Sequence, residues 1–212
     1  MHIELLVEEL SAQEALNNLL PKILGNIPFD IHRYGGKLDL LAKLPNRLRG
    51  YRSWLPNDYF IVVLIDGDRE DCLTLKEKLE KIALEAGFIT KSAAGINQSF
   101  QVLNRLAIEE LESWFFGDVQ ALVTAYPGVT PNLGSQAKYR DPDAITGGTW
   151  EALERVLQAA GYHKGGLQKL PAARDISIHM NPEVNRSKSF QTFYSGLKEI
   201  KEQVMSNSGV DQ

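Results

Sequence analysis

The chain has 212 residues, 43% hydrophobic and 24% charged, the proportions of a soluble globular protein with one generous domain or a core domain and an appendage. Its 23 Lys and Arg stand against 27 Asp and Glu, a formal net charge of −4, which excludes a dedicated nucleic-acid coat but not an enzyme with a local basic track. Cys72 is the only cysteine, so an intrachain disulfide and a cysteine-rich zinc centre are excluded and a reducing compartment is expected.

Carboxylates at Glu4, Glu8 and Glu9 interrupt any N-terminal apolar leader, and no run approaches the ~18 apolar residues of a membrane span, so the expected location is cytoplasmic. Short apolar runs then alternate with amphipathic ones, the pattern of an α/β fold with a mostly parallel sheet. Residues 3–7 read as a first strand. A helix follows over 12–24, with Ser11 as its N-cap and Pro21 as a kink or break. Residues 29–33 form a short strand, Gly35 and Gly36 turn the chain, and a helix opens near Lys37 that Pro45 divides. The run Phe60, Ile61, Val62, Val63, Leu64, Ile65 predicts a strand over 59–65 buried on both faces.

A charged amphipathic helix is expected over 70–86, a fourth strand over 99–106, and helix again from about Ile108. Pro and Gly then punctuate a loop or lid over 126–148. Three helices follow, over 150–160, 167–177 and 189–204, with a frayed tail over 205–212. The expected organisation is an α/β domain at 1–125, the loop, a helical extension at 149–204 packed on the same core, and the tail.

Parallel strands deliver their C-terminal ends to one edge, where loops and helix N-termini converge on ligands. The acids follow that rule. Glu8 and Glu9 come straight after the first strand, and Asp66, Gly67 and Asp68 straight after the strongest one. In an extended segment Asp66 and Asp68 point the same way, and with Glu8 they make an oxygen site for a divalent cation of the Mg²⁺ kind. Any one such acid serves equally as a helix cap or a solvated surface group; the joint pattern is the signal.

These residues carry a resemblance. LLVEE at 5–9 and VLIDGDRED at 63–71 are similar to the Toprim fold of topoisomerases, bacterial primases and OLD-type nucleases. GGKLDLL at 35–41, AIEELESWFFGD at 107–118 and SKSFQTF at 187–193 further resemble a bacterial Toprim-like domain-of-unknown-function family over nearly the whole chain. The resemblance implies a Rossmann-like sheet, Glu8 as the lone signature glutamate, and Asp66 with Asp68 as the acidic pair, all binding Mg²⁺, with Mn²⁺ as a substitute. Glu9 stands where many Toprim proteins have glycine.

After the fourth strand come Glu109, Glu110 and Glu112. Helical spacing places Glu109 and Glu112 on one side and turns Glu110 away, and Glu112 is the candidate assistant because the family's segment resembles LESW. A solvated acidic first turn is the alternative. Lys37, at a glycine-opened helix start, is a candidate for phosphate or nucleic acid, although GGK is too short for a P-loop and fits a surface lysine as well.

Lys43, Arg47, Arg49 and Arg52, interleaved with Tyr51 and Trp54, form the densest basic stretch, which reads either as a phosphate track or as a solvated helix face. A second, scattered set is Lys138, Arg140, Lys164, Lys169, Arg186 and Lys188. His2, His32, His163 and His179 are dispersed without metal-ligand spacing and read as structural. Serines 113, 187 and 189 lie in no nucleophile motif, and Ser187 with Ser189 reads as the cap of the last helix.

The expected function is a Mg²⁺-dependent phosphodiester hydrolase, a nuclease acting on DNA, with Glu8, Asp66 and Asp68 as ligands and Glu112 assisting. The OLD-type resemblance implies a partner ATPase and bacterial defence. A non-catalytic module regulating or serving such a partner is the alternative. A phosphotransferase with Asp66 as nucleophile is disfavoured, because Asp66, Gly67, Asp68, Arg69 lacks the small hydroxyl residue such loops carry. Substrate, strand preference and oligomeric state have no signature in the sequence.

Overall fold

The computed structural model describes residues 1–208 apart from Arg69, Ile96 and Asn97. Four strands, β1 (His2–Val7), β2 (Phe29–Arg33), β3 (Tyr59–Asp66) and β4 (Val102–Ala107), form one sheet in the order β2-β1-β3-β4. All three pairings are parallel. The helices are α1 (Leu10–Leu24), α2 (Lys37–Trp54), α3 (Cys72–Glu85), α4 (Glu112–Gly117), α5 (Val119–Ala125), α6 (Thr149–Ala159), α7 (Lys169–Ser177) and α8 (Lys188–Ser208). This is a helix-flanked parallel sheet consistent with a Rossmann-like fold, and no helix among the described residues is long and apolar enough to cross a membrane.

Side chains alternate across a strand, so each strand supplies two layers. Ile3, Leu5, Val7, Phe60, Val62, Leu64 and Leu103 face the larger layer, with α1 and the helices from α4 onward. Leu6, Ile61, Val63 and Ile65 face the smaller layer with α2 and α3. Burial on both faces explains the unbroken apolar run of β3.

The elements depart from sequence expectation where proline and local charge were weighed most. Helix α1 begins at Leu10 with Glu9 at its N-cap and runs through Pro21; Ser11, instead of capping, donates its hydroxyl to Glu9. Helix α2 runs unbroken through Pro45, because Leu40, Leu44, Leu48 and Tyr51 form a buried stripe at helical spacing that holds it against the sheet. The fourth strand starts at Val102 and ends at Ala107. Residues 108–111 are not helical, and α4 and α5 are short and separated by Asp118. The segment at 126–148 contains two 3-10 turns, Leu133–Ser135 and Pro142–Ala144. The last helix continues to Ser208, and residues 209–212 of the expected tail lie outside the described residues.

One contact fixes how closely α8 meets the edge strand. Gly196 sits where any Cβ would fall 2.8 Å from a Leu103 methyl, so the helix approaches β4 as closely as glycine allows. On the outer rim of β4, the Val102 carbonyl accepts from the Lys91 N–H at 2.9 Å, and the Asn104 carbonyl accepts from Lys76 Nζ at 2.7 Å and Arg105 Nη1 at 2.9 Å. Lys76 is itself held by Glu80 at 2.5 Å.

Candidate acidic site at the carboxyl edge of the sheet

The order β2-β1-β3-β4 reverses direction between β1 and β3. The chain leaves β1 for α1 on the larger layer and leaves β3 for α3 on the smaller one, so a crevice opens between the two strand ends. Glu8 and Asp66 stand on its two lips. Glu8 Oε1 accepts the Asp66 backbone N–H at 2.5 Å, tying the end of β3 to the first residue past β1.

Burial is the largest cause pushing the Glu8 carboxyl up to about 7; the Asp66 N–H and the Lys37 charge oppose it, while Asp68 and Glu9 add to it. Asp66 is raised well above the carboxylate range, first by burial and then by the charges of Glu8, Glu112, Glu9 and Glu110. Glu112 opens α4 only 2% exposed, and burial is again the largest cause raising it to about 7. Its Oε2 has no hydrogen-bond partner among the described residues, whereas Oε1 lies 3.6 Å from Lys169 Nζ. Chain segments more than forty residues apart thus bring carboxyls near enough for Glu8 and Glu112 to act on Asp66, and burial first, then like charge, favours the protonated forms.

Asp68 departs from the expected geometry. The backbone turns left-handed there, with φ 50°, so the segment past Asp66 is not the extended one on which the expected shared direction of the two aspartates rests. Gly67 makes the turn possible: its N–H donates to the Ala107 carbonyl at 2.8 Å, and a Cβ would crowd that oxygen at 3.3 Å. Asp68 is exposed and pairs with Lys37 Nζ at 2.9 Å, yet stays near enough for its charge to act on Glu8. Lys37 also donates to the Gly67 carbonyl at 3.2 Å and lies 3.5 Å from Glu70. Opening α2 beyond β2, it reaches across the β1 end to the β3 turn.

Glu110 is the main correction. With residues 108–111 irregular, it is not turned away; its Oε2 accepts from Thr149 Oγ1 at 2.8 Å and the Trp150 N–H at 3.0 Å, at the start of α6. Its charge raises Asp66 and Glu112. Lys169, the first residue of α7, is legible in the sequence only as one of the scattered basic set; it lies 4.0 Å from Glu9 as well as near Glu112. No local pattern near Lys169 points to this role. Beside the acids lies a cleft of about 390 Å³ walled by Asp68, Glu70, Glu109, Glu110, Trp150 and Glu151.

The basic stretch does not join this site. It lies along α2, and at ~1.5 Å per residue Arg47 and Arg52 are about 15 and 22 Å from the Lys37 end. Arg47 covers the Tyr51 ring at 4.7 Å and Arg52 the Phe88 ring at 5.7 Å. SKSFQTF is structural: Asp143 accepts from Ser187 Oγ at 2.8 Å, Ser189 Oγ at 2.9 Å and the Lys188 N–H at 2.5 Å, and Trp114 Nε1 donates to Ser189 Oγ at 2.9 Å. Arg69 of the segment VLIDGDRED lies outside the described residues.

Fold and site define the class: a Rossmann-like α/β protein with a carboxylate cluster at the topological switch of its sheet. The domain of unknown function DUF4276 matches residues 7–198, and the chain belongs to that family. Comparison with curated proteins and with solved structures gives no match.

Proposed function

We propose that this protein is a Mg²⁺-dependent phosphodiester hydrolase, a nuclease of the Toprim and OLD type. The observation that carries the reading is the gathering of Glu8, Asp66 and Glu112 at one crevice, each carboxyl raised first by burial, and Asp66 also by the charges of Glu8 and Glu112. The donors are of the type a hard cation takes, all oxygen and partly buried, with a Glu112 Oε2 unpartnered among the described residues. An ion would have to draw them in, since no three of these carboxylates bring ligand atoms within 4.8 Å of one another. Glu8 and Asp66 would hold Mg²⁺ or Mn²⁺, with Asp68 joining once it parts from Lys37. The cation supplies charge neutralisation at phosphate oxygens and activation of water.

The chain's own groups account for the remaining roles. Glu112, poised near 7, exchanges a proton close to neutral pH and suits general acid–base work. Lys37 carries an ammonium that can pass from Asp68 to a phosphate. Trp150, on the wall of the cleft, already carries Lys169 Nζ over its ring at 5.7 Å, which sets a cation beside the space a phosphate would enter. DNA as substrate, a partner ATPase and a place in bacterial defence follow from the Toprim and OLD resemblance and belong to this proposal.

A second reading is a non-catalytic module serving a partner. It draws on Lys37 and Lys169, which already neutralise Asp68 and Glu112, and on the distance of the basic stretch from the acids. Incubating supercoiled and linear DNA with Mg²⁺ or Mn²⁺ separates the two. The nuclease reading expects metal-dependent nicking that Glu8→Ala and Asp66→Ala each reduce by about 10²-fold or more. A chain that binds the cation yet leaves DNA, RNA and phosphomonoesters intact is the module.

A further inference from the structure

Away from the acidic edge, on the face of the sheet that meets α2, a second group of side chains is arranged by strand geometry alone. His2 and Glu4 are two residues apart on β1 and share a face. Asp30 on β2 is the direct cross-strand partner of Glu4 in the parallel register. One ligand atom from each of the three lies within 4.8 Å of the others. His2 Nε2 is 3.4 Å from Glu4 Oε1 and 3.1 Å from Asp30 Oδ2. Ligands ~2.0–2.1 Å from a tetrahedral ion stand about 3.3 Å apart, so the spacing fits.

Two further observations point to a ligand. His2 Nε2 is buried and forms no hydrogen bond among the described residues, although carboxylate oxygens flank it, and its ring stacks on Tyr59 at 5.0 Å. Glu4, 6% exposed, has its other oxygen engaged: Oε2 accepts from Tyr51 Oη at 2.6 Å and meets His32 Nε2 at 2.6 Å. Those two partners orient the carboxylate and leave Oε1 facing His2, as outer groups orient ligands in metal centres. Asp30, 67% exposed, opens the group to solvent and gives an ion a way in.

We infer that His2 Nε2, Glu4 Oε1 and Asp30 Oδ2 form a site for a divalent transition metal of the zinc class, with water completing its shell. An imidazole nitrogen between carboxylates selects such ions over Mg²⁺. The site is independent of the proposed nuclease activity, since none of its residues lies at the carboxyl edge.

The test uses the full chain without a histidine tag. Zn²⁺ is titrated against a chromogenic chelator, and Co²⁺ is followed by its visible absorption. The expected result is a Zn²⁺ equivalent that persists when Glu8 is replaced, and the intense Co²⁺ bands of a four-coordinate ion. Asp30→Asn and His2→Gln should each weaken binding by about tenfold or more, while Glu8→Gln leaves it unchanged. Asp30 is exposed, so its variant folds, which an unchanged thermal melt confirms. Absence of a Zn²⁺ equivalent, or binding kept by Asp30→Asn and lost by Glu8→Gln, overturns the site and leaves only an ion-pair network.

Discussion

Glu8 and Glu112 both titrate near 7 in the folded chain, against about 4.5 for an ordinary glutamate. Between those values the folded state keeps protons that the unfolded state has released. The stability these groups contribute is therefore complete below about 4.5 and lost as pH rises through 7. A divalent cation binds the deprotonated site and offsets that loss. In thermal melts at pH 6 and pH 8, MgCl₂ should raise Tm more at pH 8, by at least about 2–4 °C, the shift of ~1 kcal/mol in a chain of this size. An equal or larger shift at pH 6 contradicts the assignment. Glu8 and Asp66 were legible in the sequence because an acid directly after an apolar run needs only the strand end to be placed. Glu110 was not, since its position depends on residues 108–111 escaping the helix, and Lys169 depends on a fold-back across the whole second half of the chain.

Among the elements, the start of α8 shows what a remote carboxylate does. Asp143 sits in a short 3-10 turn forty-odd residues upstream and accepts from two hydroxyls and two backbone N–H groups of residues 187–189. It occupies the place an N-cap side chain usually fills and carries the negative charge that a helix N-terminus favours. Asp143→Ala should cost about 2 kcal/mol, a Tm fall of ~4–8 °C, with metal affinity at the acidic edge unchanged. Urea unfolding with m held constant measures it. Ser187 and Ser189 were readable as caps; their acceptor was not, because it lies outside the helix. The prolines misled in the opposite sense. An interior proline costs ~3 kcal/mol, yet four buried side chains of α2, each worth ~1.5–3 kcal/mol, keep that helix whole.

For the molecule as a whole, residues on both sides of position 125 share one core. Trp114 lies between Phe190 and Phe193, with ring centroids 5.1 Å away in each case. Leu153, Ile176 and Leu197 share the apolar layer of β1 and β3. A fragment of residues 1–125 should therefore bind a hydrophobic dye, lose near-ultraviolet dichroism and melt without a cooperative transition. A sharp melt of that fragment would show the first half to be self-sufficient. The parallel arrangement of the strands, and with it the shared acidic edge, was readable from the alternation of strands and helices; which side chains of the sheet and of α4 the later helices meet was not, since apolar spacing in α6 to α8 does not say which surface it covers.

The rim of β4 has a bearing on how copies of this chain behave in crowded solution. An end strand normally offers a row of open carbonyl and amide groups on which a neighbour's strand can grow. Here the Lys91 amide, the Lys76 ammonium and the Arg105 guanidinium already occupy two of those carbonyls, and Glu80 anchors the lysine. An incoming strand would have to evict two charged groups to zip on, so fibre-like growth through this margin is blocked.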